Sequence, residues 1–449
     1  MTLELNPTET AGNKFLEPGS RSAALHARAV KVLPGGNTRT TVFAPPYPYY
    51  LDRGEGCRVY DVEGQARLDC LNNYTSLLHG HVHPRVTAAA HAQIARGTAF
   101  AGPTEAEVRL AEIIVDRVPA IERIRFTNSG TEAVMMAVKA ARGYTGRPKI
   151  AKFEGCYHGT YDVAEISVQP QLDRAGPASE PLSLPESAGT APGTAENVVV
   201  LPLNDREAAE RILTREASRV AAVLIDPLPN QAGFPSPERG FLTFLRELTR
   251  RLGILMIADE IISFRTSYEG ASARFGFKPD LVTLGKIIGG GFPVGAVGGS
   301  AEVMGVFDPT AGKPRVPHGG TFNANPVTMA AGIVAMEMWT RGEIGRLERL
   351  GDDLRQRVNW VLDESGLALK VSGEGSLFRF VPKAMEREYR SSVPDAQTAA
   401  QREELVLRLL GNGVVISRTG LGCVSTVMDE GEVSELVEAV RTSAAAMRT

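Results

Sequence analysis

From about residue 100 onward, short apolar segments alternate along the chain with longer amphipathic segments. Most of the apolar segments are rich in β-branched residues and end at a polar residue or a glycine, which is typical of buried strands. The segments with this pattern are Ile124–Phe126, Ile150–Phe153, Val198–Leu201, Val220–Ile225, Ile254–Ala258, Leu281–Leu284 and Val294–Val297. Segments with a helical pattern, such as Thr131–Tyr144 and Pro237–Arg251, lie between several of them. This alternation predicts an α/β domain with a largely parallel, seven-stranded sheet flanked by helices.

The two ends of the chain have a different pattern. Three short segments near the N-terminus predict a small antiparallel meander: Tyr49–Leu51, Arg58–Asp61 and Arg67–Asp69. Beyond a boundary near Met338–Gly342, we predict a helix, two short strands and a final helix, at Arg346–Glu364, Leu369–Val371, Leu377–Val381 and from about Glu430. We therefore predict a large domain over residues 76–338 and a smaller α+β domain that residues 1–75 and 339–449 form together. The segment Gln169–Asn197, rich in Pro, Ala, Gly, Ser and Glu, is predicted to be an irregular excursion on the surface.

Composition excludes several classes of protein. The 449 residues exceed the usual size of a single core, and a hydrophobic fraction of 43% is ordinary for a soluble protein. With 49 Lys and Arg against 52 Asp and Glu, a nucleic-acid partner held by bulk charge is not expected. The best apolar run, Leu252–Ala258, ends at Asp259 and is too short for a membrane helix. Since Met1–Lys14 is polar and has no apolar segment of the signal-peptide type, we expect a cytoplasmic protein with no membrane partner.

Cysteine and histidine usage predicts neither a disulfide framework nor a metal site. The four cysteines are scattered and form no CxxC motif: Cys57, Cys70, Cys156 and Cys423. His79, His81 and His83 alternate like metal ligands on a strand, but no acidic or cysteine partner follows at a ligand spacing. We therefore expect no bound metal.

Three predicted strands end in residues that suit catalysis, because reactive groups in open α/β sheets gather at the carboxyl ends of strands. The turn Thr127–Glu132 places hydroxyls and free backbone N–H groups at a helix N-terminus, which suits an anion or, equally, an ordinary helix cap. Asp259 ends a wholly apolar strand, where a buried carboxylate needs a cationic partner. Lys286 ends another, where desolvation lowers the pKa of an amine and makes it nucleophilic. The alternative is that Asp259 and Lys286 simply pair with each other.

An anion-binding turn, a carboxylate and a lysine together meet the needs of pyridoxal 5'-phosphate. The lysine forms a Schiff base with the aldehyde of that cofactor, and the carboxylate keeps its pyridine nitrogen protonated. The turn binds its phosphate. No other common cofactor needs all three, so pyridoxal phosphate is the predicted cofactor.

These residues resemble the class III (omega) aminotransferases, a family of pyridoxal-phosphate-dependent enzymes of fold type I that includes glutamate-1-semialdehyde aminomutase. Motifs similar to those of the family occur in the family's order over nearly the whole chain: Gly56–Gly64, Gly80–Pro84, Thr127–Ala133, Tyr157–Gly159, Asp259–Ile262, Lys286–Gly291 and His318–Pro326. The stretch Gly-Lys-Ile-Ile-Gly-Gly-Gly-Phe-Pro-Val-Gly-Ala around Lys286 is especially specific. The resemblance implies fold type I, with a large α/β domain and a smaller α+β domain.

The resemblance also implies a set of cofactor-binding residues: Ser129, Gly130, Thr131, Tyr157, His158, Asp259, Lys286 and Thr321. The first three would bind the phosphate, Tyr157 would stack on the ring, and His158 would lie beside it. Lys286 would be the Schiff-base and proton-shuttling lysine, and Asp259 the partner of the pyridinium. Thr321 would reach the phosphate of the neighbouring subunit, which implies a homodimer with shared active sites.

Two arginines are candidates for binding the substrate carboxylate, because a guanidinium binds carboxylates bidentately. Arg39, in the loop Pro34–Phe43, resembles an arginine of bacterial β-amino-acid (β-phenylalanine type) aminotransferases that faces the active site. Arg418, in Ile416–Gly420, falls one residue away from a second arginine of those enzymes. The alternative for each is a surface arginine with a solvated head. The chain departs from the family at Asp226-Pro227, where the family usually has Glu-Pro. Because the aspartate side chain is shorter than that of glutamate, this difference puts the substrate specificity in doubt.

The sequence therefore predicts a class III aminotransferase that moves an amino group from a β-amino acid, or a related omega-amino compound, to a keto acid such as 2-oxoglutarate or pyruvate. The alternative is glutamate-1-semialdehyde 2,1-aminomutase, which needs no external keto acid. A third hypothesis is a relative without catalytic activity that serves as a binding protein. The presence of Lys286, Asp259 and the turn at Ser129 argues against it.

Overall fold

The computed structural model describes residues 12–238 and 240–447, so most of the polar start Met1–Lys14 lies outside the described residues. The first three strands form the predicted antiparallel meander: β1 (Leu51–Glu55), β2 (Arg58–Asp61) and β3 (Ala66–Asp69). Their hydrogen-bonded register pairs Arg58 with Leu68 and Gly54 with Val59.

A seven-stranded sheet forms the centre of the molecule. Its strands are β4 (Arg123–Thr127), β5 (Lys149–Phe153), β6 (Val198–Leu201), β7 (Val220–Ile225), β8 (Leu255–Asp259), β9 (Leu281–Gly285) and β10 (Gly295–Gly299). The spatial order is β4-β10-β9-β8-β7-β5-β6, and only β10 pairs antiparallel with its neighbours. Strands such as β7 are buried at every position because helices cover both faces, which explains their continuous apolar sequence. The predicted α/β class and the largely parallel sheet are confirmed.

The last strands are β11 (Leu369–Ser372), β12 (Leu377–Pro382), β13 (Val414–Val415) and β14 (Leu421–Cys423). Three of them form a small antiparallel sheet in the order β11-β12-β14. Strand β13 instead pairs in parallel with β3, Val414 lying opposite Leu68, so that the two ends of the chain share one sheet. This pairing supports a small domain built from both ends. The division at residues 75 and 338 stays a prediction.

The longer helices are α1 (Arg21–Ala29), α2 (Pro84–Ile94), α3 (Glu105–Arg117), α4 (Gly130–Thr145), α5 (Arg206–Glu216), α6 (Phe241–Arg251), α7 (Pro326–Met338), α8 (Arg341–Ser365), α9 (Ala396–Gly411) and α10 (Glu430–Ala446). Shorter helices lie at Ala271–Arg274, Ala301–Met304 and Tyr389–Ser392. Helix α9 is absent from the sequence prediction. It begins at the cap Asp395, whose side chain accepts a hydrogen bond from Thr398 N, and it buries Leu405 and Leu409.

One hydrophobic cluster extends across the predicted domain boundaries and includes Leu68, Leu110, Leu284, Leu347 and Val440. The segment Gln169–Asn197 is irregular, as predicted: its regular structure is limited to the single turn Ala195–Asn197 and one bridge between Ile166 and Pro185. No helix among the described residues has the length and apolar character that crossing a bilayer requires.

Candidate active site

Lys286, Asp259 and Asp226 lie side by side because they end or follow three neighbouring parallel strands, β9, β8 and β7. The turn after β4 and the loop after β5 reach the same edge of the sheet, as expected for the carboxyl ends of parallel strands. All of these elements line one cavity of about 1110 Å³, which is large enough for a cofactor together with a small substrate.

The turn after β4 caps helix α4. The Ser129 side chain accepts a hydrogen bond from Glu132 N at 3.2 Å, which is the ordinary cap that the sequence left open. Its hydroxyl hydrogen stays available, and the N–H groups of the first helical turn have no intrahelical acceptor. A Cβ at Gly130 would lie 2.6 Å from Cδ1 of Ile261, so any larger residue there would have to displace the Ile261 side chain. The turn is therefore a helix cap whose geometry also suits an anion.

Asp259 does not form an ion pair with Lys286 in the described part of the chain, where its carboxylate bonds to His158 instead. Oδ2 of Asp259 lies 2.7 Å from Nδ1 of His158, and Oδ1 accepts from the Thr283 hydroxyl at 3.1 Å. Burial lowers the pKa of His158, so the ring is neutral and donates its Nδ1 hydrogen to the carboxylate. His158 thus holds the Asp259 carboxylate in a single orientation.

Lys286 donates from Nζ to the backbone oxygen of Tyr74 at 2.7 Å. Its backbone lies in the left-handed region with φ of 50°, which costs a non-glycine residue about 1–2 kcal/mol and occurs mostly at functional sites. Burial lowers the pKa of Lys286 from 10.5 to about 8, although Cys423 and Asp259 act in the opposite direction. The amine is therefore nucleophilic close to neutral pH.

Tyr74, whose backbone oxygen accepts the hydrogen bond from Lys286, belongs to an unusual left-handed turn that the sequence did not predict. Asn72, Asn73, Tyr74 and Thr75 all have positive φ, between 47° and 70°. Asn72 is buried and donates to the backbone oxygens of Asp69 and Cys423.

The buried Arg265 fastens the same turn. Its guanidinium donates to the backbone oxygens of Thr75 and Val424, at 3.0 and 2.6 Å, and to the Ser376 hydroxyl at 2.9 Å. An arginine within the apolar stretch after β8 was the sequence signal that could have identified it.

We expect the reactivity of Lys286 in the cofactor-free protein to rise with pH through about 8. A pKa lowered to about 8 leaves about a tenth of the amine neutral at pH 7 and half at pH 8. The rate at which the apoprotein combines with pyridoxal phosphate, followed by absorbance, should therefore increase through this range and level off by about pH 9. A rate that keeps rising toward pH 10.5 would show an unshifted lysine. The Lys286→Ala apoprotein provides the control, with no covalent reaction expected at any pH.

The residues present fit pyridoxal phosphate. The helix N-terminus at Ser129 suits a phosphate, the buried carboxylate of Asp259 suits a protonated pyridine nitrogen, and the amine of Lys286 suits an aldehyde. Nε2 of His158 is buried with no hydrogen-bond partner within the described residues, which is consistent with a missing neighbour at this point. Tyr157 lines the cavity with a side chain that is 46% exposed, so it is free to cover a bound ring.

Thr321 does not line the cavity of the single chain. Its side chain is exposed, but its loop is held to the turn Thr127–Glu132 by a 2.8 Å hydrogen bond from Asn128 Nδ2 to Asn323 Oδ1. An exposed threonine in that position is available to a second subunit.

Both predicted substrate arginines line the cavity, with different partners. Arg39 is exposed and bonds from Nη1 to Asn73 Oδ1 at 3.1 Å, and that neutral acceptor leaves its charge uncompensated. Arg418 forms an ion pair with Glu403 at 2.6 Å and donates to the backbone oxygen of Phe43. Such an exposed ion pair contributes only about 0–1 kcal/mol to stability, so the Arg418 side chain can leave it to bind a ligand at little cost. A third arginine of the cavity, Arg402, lies on the missed helix α9 and has no counterpart in the sequence prediction.

Asp226, the departure noted in the sequence, is buried beside Asp259. Burial, together with the negative charge of Asp259, raises the pKa of Asp226 well above its usual value. Its Oδ1 accepts from Leu228 N at 2.9 Å, which also fixes the turn after β7. The side chain lines the cavity, so the short carboxyl still faces the site.

The three clustered histidines lie outside strands β1–β14, and two of them have protein partners. His81 Nε2 lies 2.7 Å from Asp69 Oδ2. The two ring nitrogens of His79 lie 2.9 Å from the Thr426 hydroxyl and 3.0 Å from the Ala335 backbone oxygen. These bonds account for His79 and His81 as structural residues.

Comparison with known sequences shows the family. The sequence model described as Aminotransferase class-III matches residues 41–430. A curated relative, the glutamate-1-semialdehyde 2,1-aminomutase of Aeropyrum pernix, is 39% identical over 95% of this chain and 98% of its own length.

Three solved structures are similar to the whole fold. An omega-transaminase from Sphaerobacter thermophilus is 51% identical, with a TM-score of 0.95 over 97% of this chain and 100% of its own. A transaminase with PLP bound is 44% identical, with a TM-score of 0.88 over 95% and 97% of the two chains. A β-phenylalanine aminotransferase from Variovorax paradoxus is 32% identical, with a TM-score of 0.86 over 97% and 96%. The chain thus has fold type I, its cofactor is pyridoxal phosphate, and it belongs to the class III aminotransferase family.

Proposed function

We propose that this protein is a transaminase that takes an amino group from a small carboxylate-bearing amine and passes it to a keto acid. The observation that carries the proposal is the 51% identity and TM-score of 0.95 to an omega-transaminase over 97% of the chain. The set of Lys286, Asp259 and the turn at Ser129 supports it, because amino transfer needs a base, a buried anion and an anchor for the cofactor phosphate.

Bound pyridoxal phosphate supplies an aldehyde that takes up the amino group and a ring that withdraws electrons from the substrate carbon. Lys286, with its lowered pKa, accepts a proton from that carbon and returns it during each half-reaction. Asp259, oriented by His158, provides a fixed negative charge at the sheet edge. The first turn of α4 binds the phosphate, and the exposed Thr321 contributes to the site of a second subunit in a homodimer.

The preferred donor is a β-amino acid, with Arg39 as the anchor of its carboxylate. Arg39 lies at the cavity with a neutral hydrogen-bond partner, so its charge is available to an anion. The similarity to the β-phenylalanine aminotransferase over 97% of the chain supports this choice of donor.

The second candidate is glutamate-1-semialdehyde 2,1-aminomutase. The curated relatives favour it over the β-amino-acid donor, since the one from Aeropyrum pernix bears that name at 39% identity over 95% of the chain. The two reactions differ in stoichiometry. A mutase returns its amino group to the same substrate, whereas a transaminase stops after one half-reaction without a keto acid.

A spectral half-reaction separates the candidates. The holoenzyme is mixed with 3-amino-3-phenylpropanoate in the absence of a keto acid, and the absorbance of the cofactor is followed. Stoichiometric conversion to pyridoxamine phosphate, reversed by 2-oxoglutarate or pyruvate, is the expected result. No change with several β-amino acids, together with turnover of glutamate-1-semialdehyde without an acceptor, would establish the aminomutase instead.

Arg39→Ala should raise KM for β-amino acids by about 10- to 100-fold, since a lost hydrogen bond to a charged group costs about 1.5–3 kcal/mol. KM for 1-phenylethylamine, which has no carboxylate, should change by less than about threefold. Initial rates with the two donors provide the measurement, and Arg39→Lys, which keeps the charge, should recover part of the loss. Equal effects on both donors would remove Arg39 from carboxylate binding.

A further inference from the structure

Arg402 is a cavity-lining arginine without a hydrogen bond or an ion pair within residues 12–238 and 240–447. It lies on helix α9 and is partly buried, and burial lowers the pKa of its guanidinium. The other two arginines of the cavity differ from it, since Arg39 bonds to Asn73 and Arg418 to Glu403. A partly buried guanidinium that lines a cavity and has no protein acceptor is available to an anionic ligand.

A second arginine interacts with Arg402 electrostatically. Arg379, on β12, is buried and donates from Nη1 to the backbone oxygen and to Oδ1 of Asn230, at 2.9 and 2.7 Å. Both acceptors are neutral, so neither offsets its charge. Burial and then the charge of Arg402 lower the pKa of Arg379 to about 9. The positive charge of Arg402 therefore acts on a second, buried guanidinium, and Asn230, which lines the cavity, connects that guanidinium to it.

Two acidic residues that line the cavity, Glu403 and Glu186, have hydrogen-bond partners other than Arg402. Glu403 follows Arg402 in sequence, but its Oε1 bonds to Arg418 at 2.6 Å. Glu186 lines the same cavity, and its Oε2 accepts from the backbone N–H of Gln169 at 2.9 Å. The charge of Glu403 raises the pKa of Arg402 and so offsets part of its charge, but no acidic residue in the described part of the chain bonds to the Arg402 guanidinium, which stays available to an anion.

We propose that Arg402, supported by Arg379 and Asn230, forms a second anion subsite that binds the distal carboxylate of a dicarboxylic substrate while its reacting carbon lies at Lys286. The proposal rests on the proposed transaminase function and names the class of acceptor, a dicarboxylic keto acid in preference to a monocarboxylic one. Arg402 touches the substrate, whereas Arg379 acts through Asn230 and through its charge. Arg39 remains the anchor for the carboxylate near the reacting carbon.

The first test compares two keto acids in the second half-reaction of the holoenzyme. Arg402→Met keeps the length of the side chain and removes its charge. It should lower kcat/KM for 2-oxoglutarate by about 10- to 100-fold, mainly through KM, because a charge-assisted bond is lost. The value for pyruvate should change by less than about threefold. Arg408→Met is the matched control, since Arg408 lies on the same helix outside the cavity and bonds to Glu404.

The second test measures binding without turnover. Calorimetric titration of the holoenzyme with glutarate and with butanoate compares a dicarboxylate and a monocarboxylate that cannot accept an amino group. The wild-type protein should bind glutarate at least about tenfold more tightly than butanoate, and Arg402→Met should abolish that preference. Arg402→Lys, which keeps the charge, should retain part of it and provides a second variant if Arg402→Met unfolds.

The two tests fail in distinguishable ways. An equal loss of both keto acids in Arg402→Met, or glutarate binding that this variant leaves unchanged, would overturn the subsite. Wild-type protein that binds glutarate and butanoate alike would also overturn it. Absence of turnover with every keto acid would instead contradict the proposed function, and the glutarate titration would still decide the role of Arg402.

Discussion

Replacing Lys286 by alanine should lower transamination by about 10⁴-fold or more while the protein stays folded. The substitution removes the amine that holds the cofactor aldehyde and moves the proton in both half-reactions, and acid–base catalysis alone contributes about 10²–10⁴. Among the described residues the side chain makes a single hydrogen bond, to the backbone oxygen of Tyr74, so little stability depends on it. Steady-state rates with a β-amino acid and 2-oxoglutarate, together with circular dichroism, provide the measurement.

Two controls separate a chemical role of Lys286 from a structural one. Lys139→Ala removes an exposed lysine of helix α4 and should leave the rate unchanged. A small amine such as methylamine, added to the Lys286→Ala protein, should restore part of the activity because it takes the place of the missing base. Transamination by Lys286→Ala at the wild-type rate would contradict the proposed mechanism.

Asp259→Asn should reduce turnover by on the order of 100- to 1,000-fold. Asp259 is only 4% exposed, and its carboxylate accepts hydrogen bonds from His158, Thr283 and the backbone N–H of Ile261. Asparagine keeps the size of the side chain but removes the charge. In the holoenzyme the charged pair that Asp259 would form with the protonated pyridine nitrogen of the cofactor is then lost. Breaking a buried charged pair costs about 3–5 kcal/mol, and each 1.4 kcal/mol is a factor of ten in rate. The kcat with saturating donor and acceptor is the quantity to measure.

A control at the opposite edge of the sheet distinguishes local chemistry from a general loss of charge. Asp280 precedes β9, pairs with Arg246 at 2.6 Å and accepts from Met256 N. Asp280→Asn should lower the free energy of unfolding, because it weakens this pair, and should leave kcat within about threefold of wild type. A comparable fall of kcat in both variants would show that Asp259 contributes through stability rather than through its place at the site.

The strands of the central sheet, the family and the cofactor could all be predicted from the sequence. The strands of the central sheet are near-continuous apolar segments because helices cover both faces, and this local pattern predicted all seven within about two residues. Family membership and the cofactor follow from motifs that are contiguous in sequence, such as the stretch around Lys286, and the comparisons confirm both. The β-amino-acid donor and the individual roles of the site residues stay predictions.

Helix α9 was missed because its large apolar residues are concentrated in Leu405–Leu410, a short apolar run that periodicity alone does not distinguish from a buried strand. Arg402, which it carries into the cavity, could not be distinguished in sequence from Arg408 on the same helix. The first has no acceptor among the described residues, and the second bonds to Glu404. Only the packing of α9 against the rest of the fold determines that difference.

The sequence by itself determined the α/β class, the order of the strands along the chain, the family and the residues that end each strand. It could do so because burial on two faces and short contiguous motifs are local properties of the chain. The tertiary structure decided which residues meet. His158 bonds to Asp259 across 101 positions, Arg265 to Thr75 across 190 and Lys286 to Tyr74 across 212. Hydrogen bonds over such separations, and the pKa values that burial shifts, depend on the packing of distant segments, which no local pattern encodes.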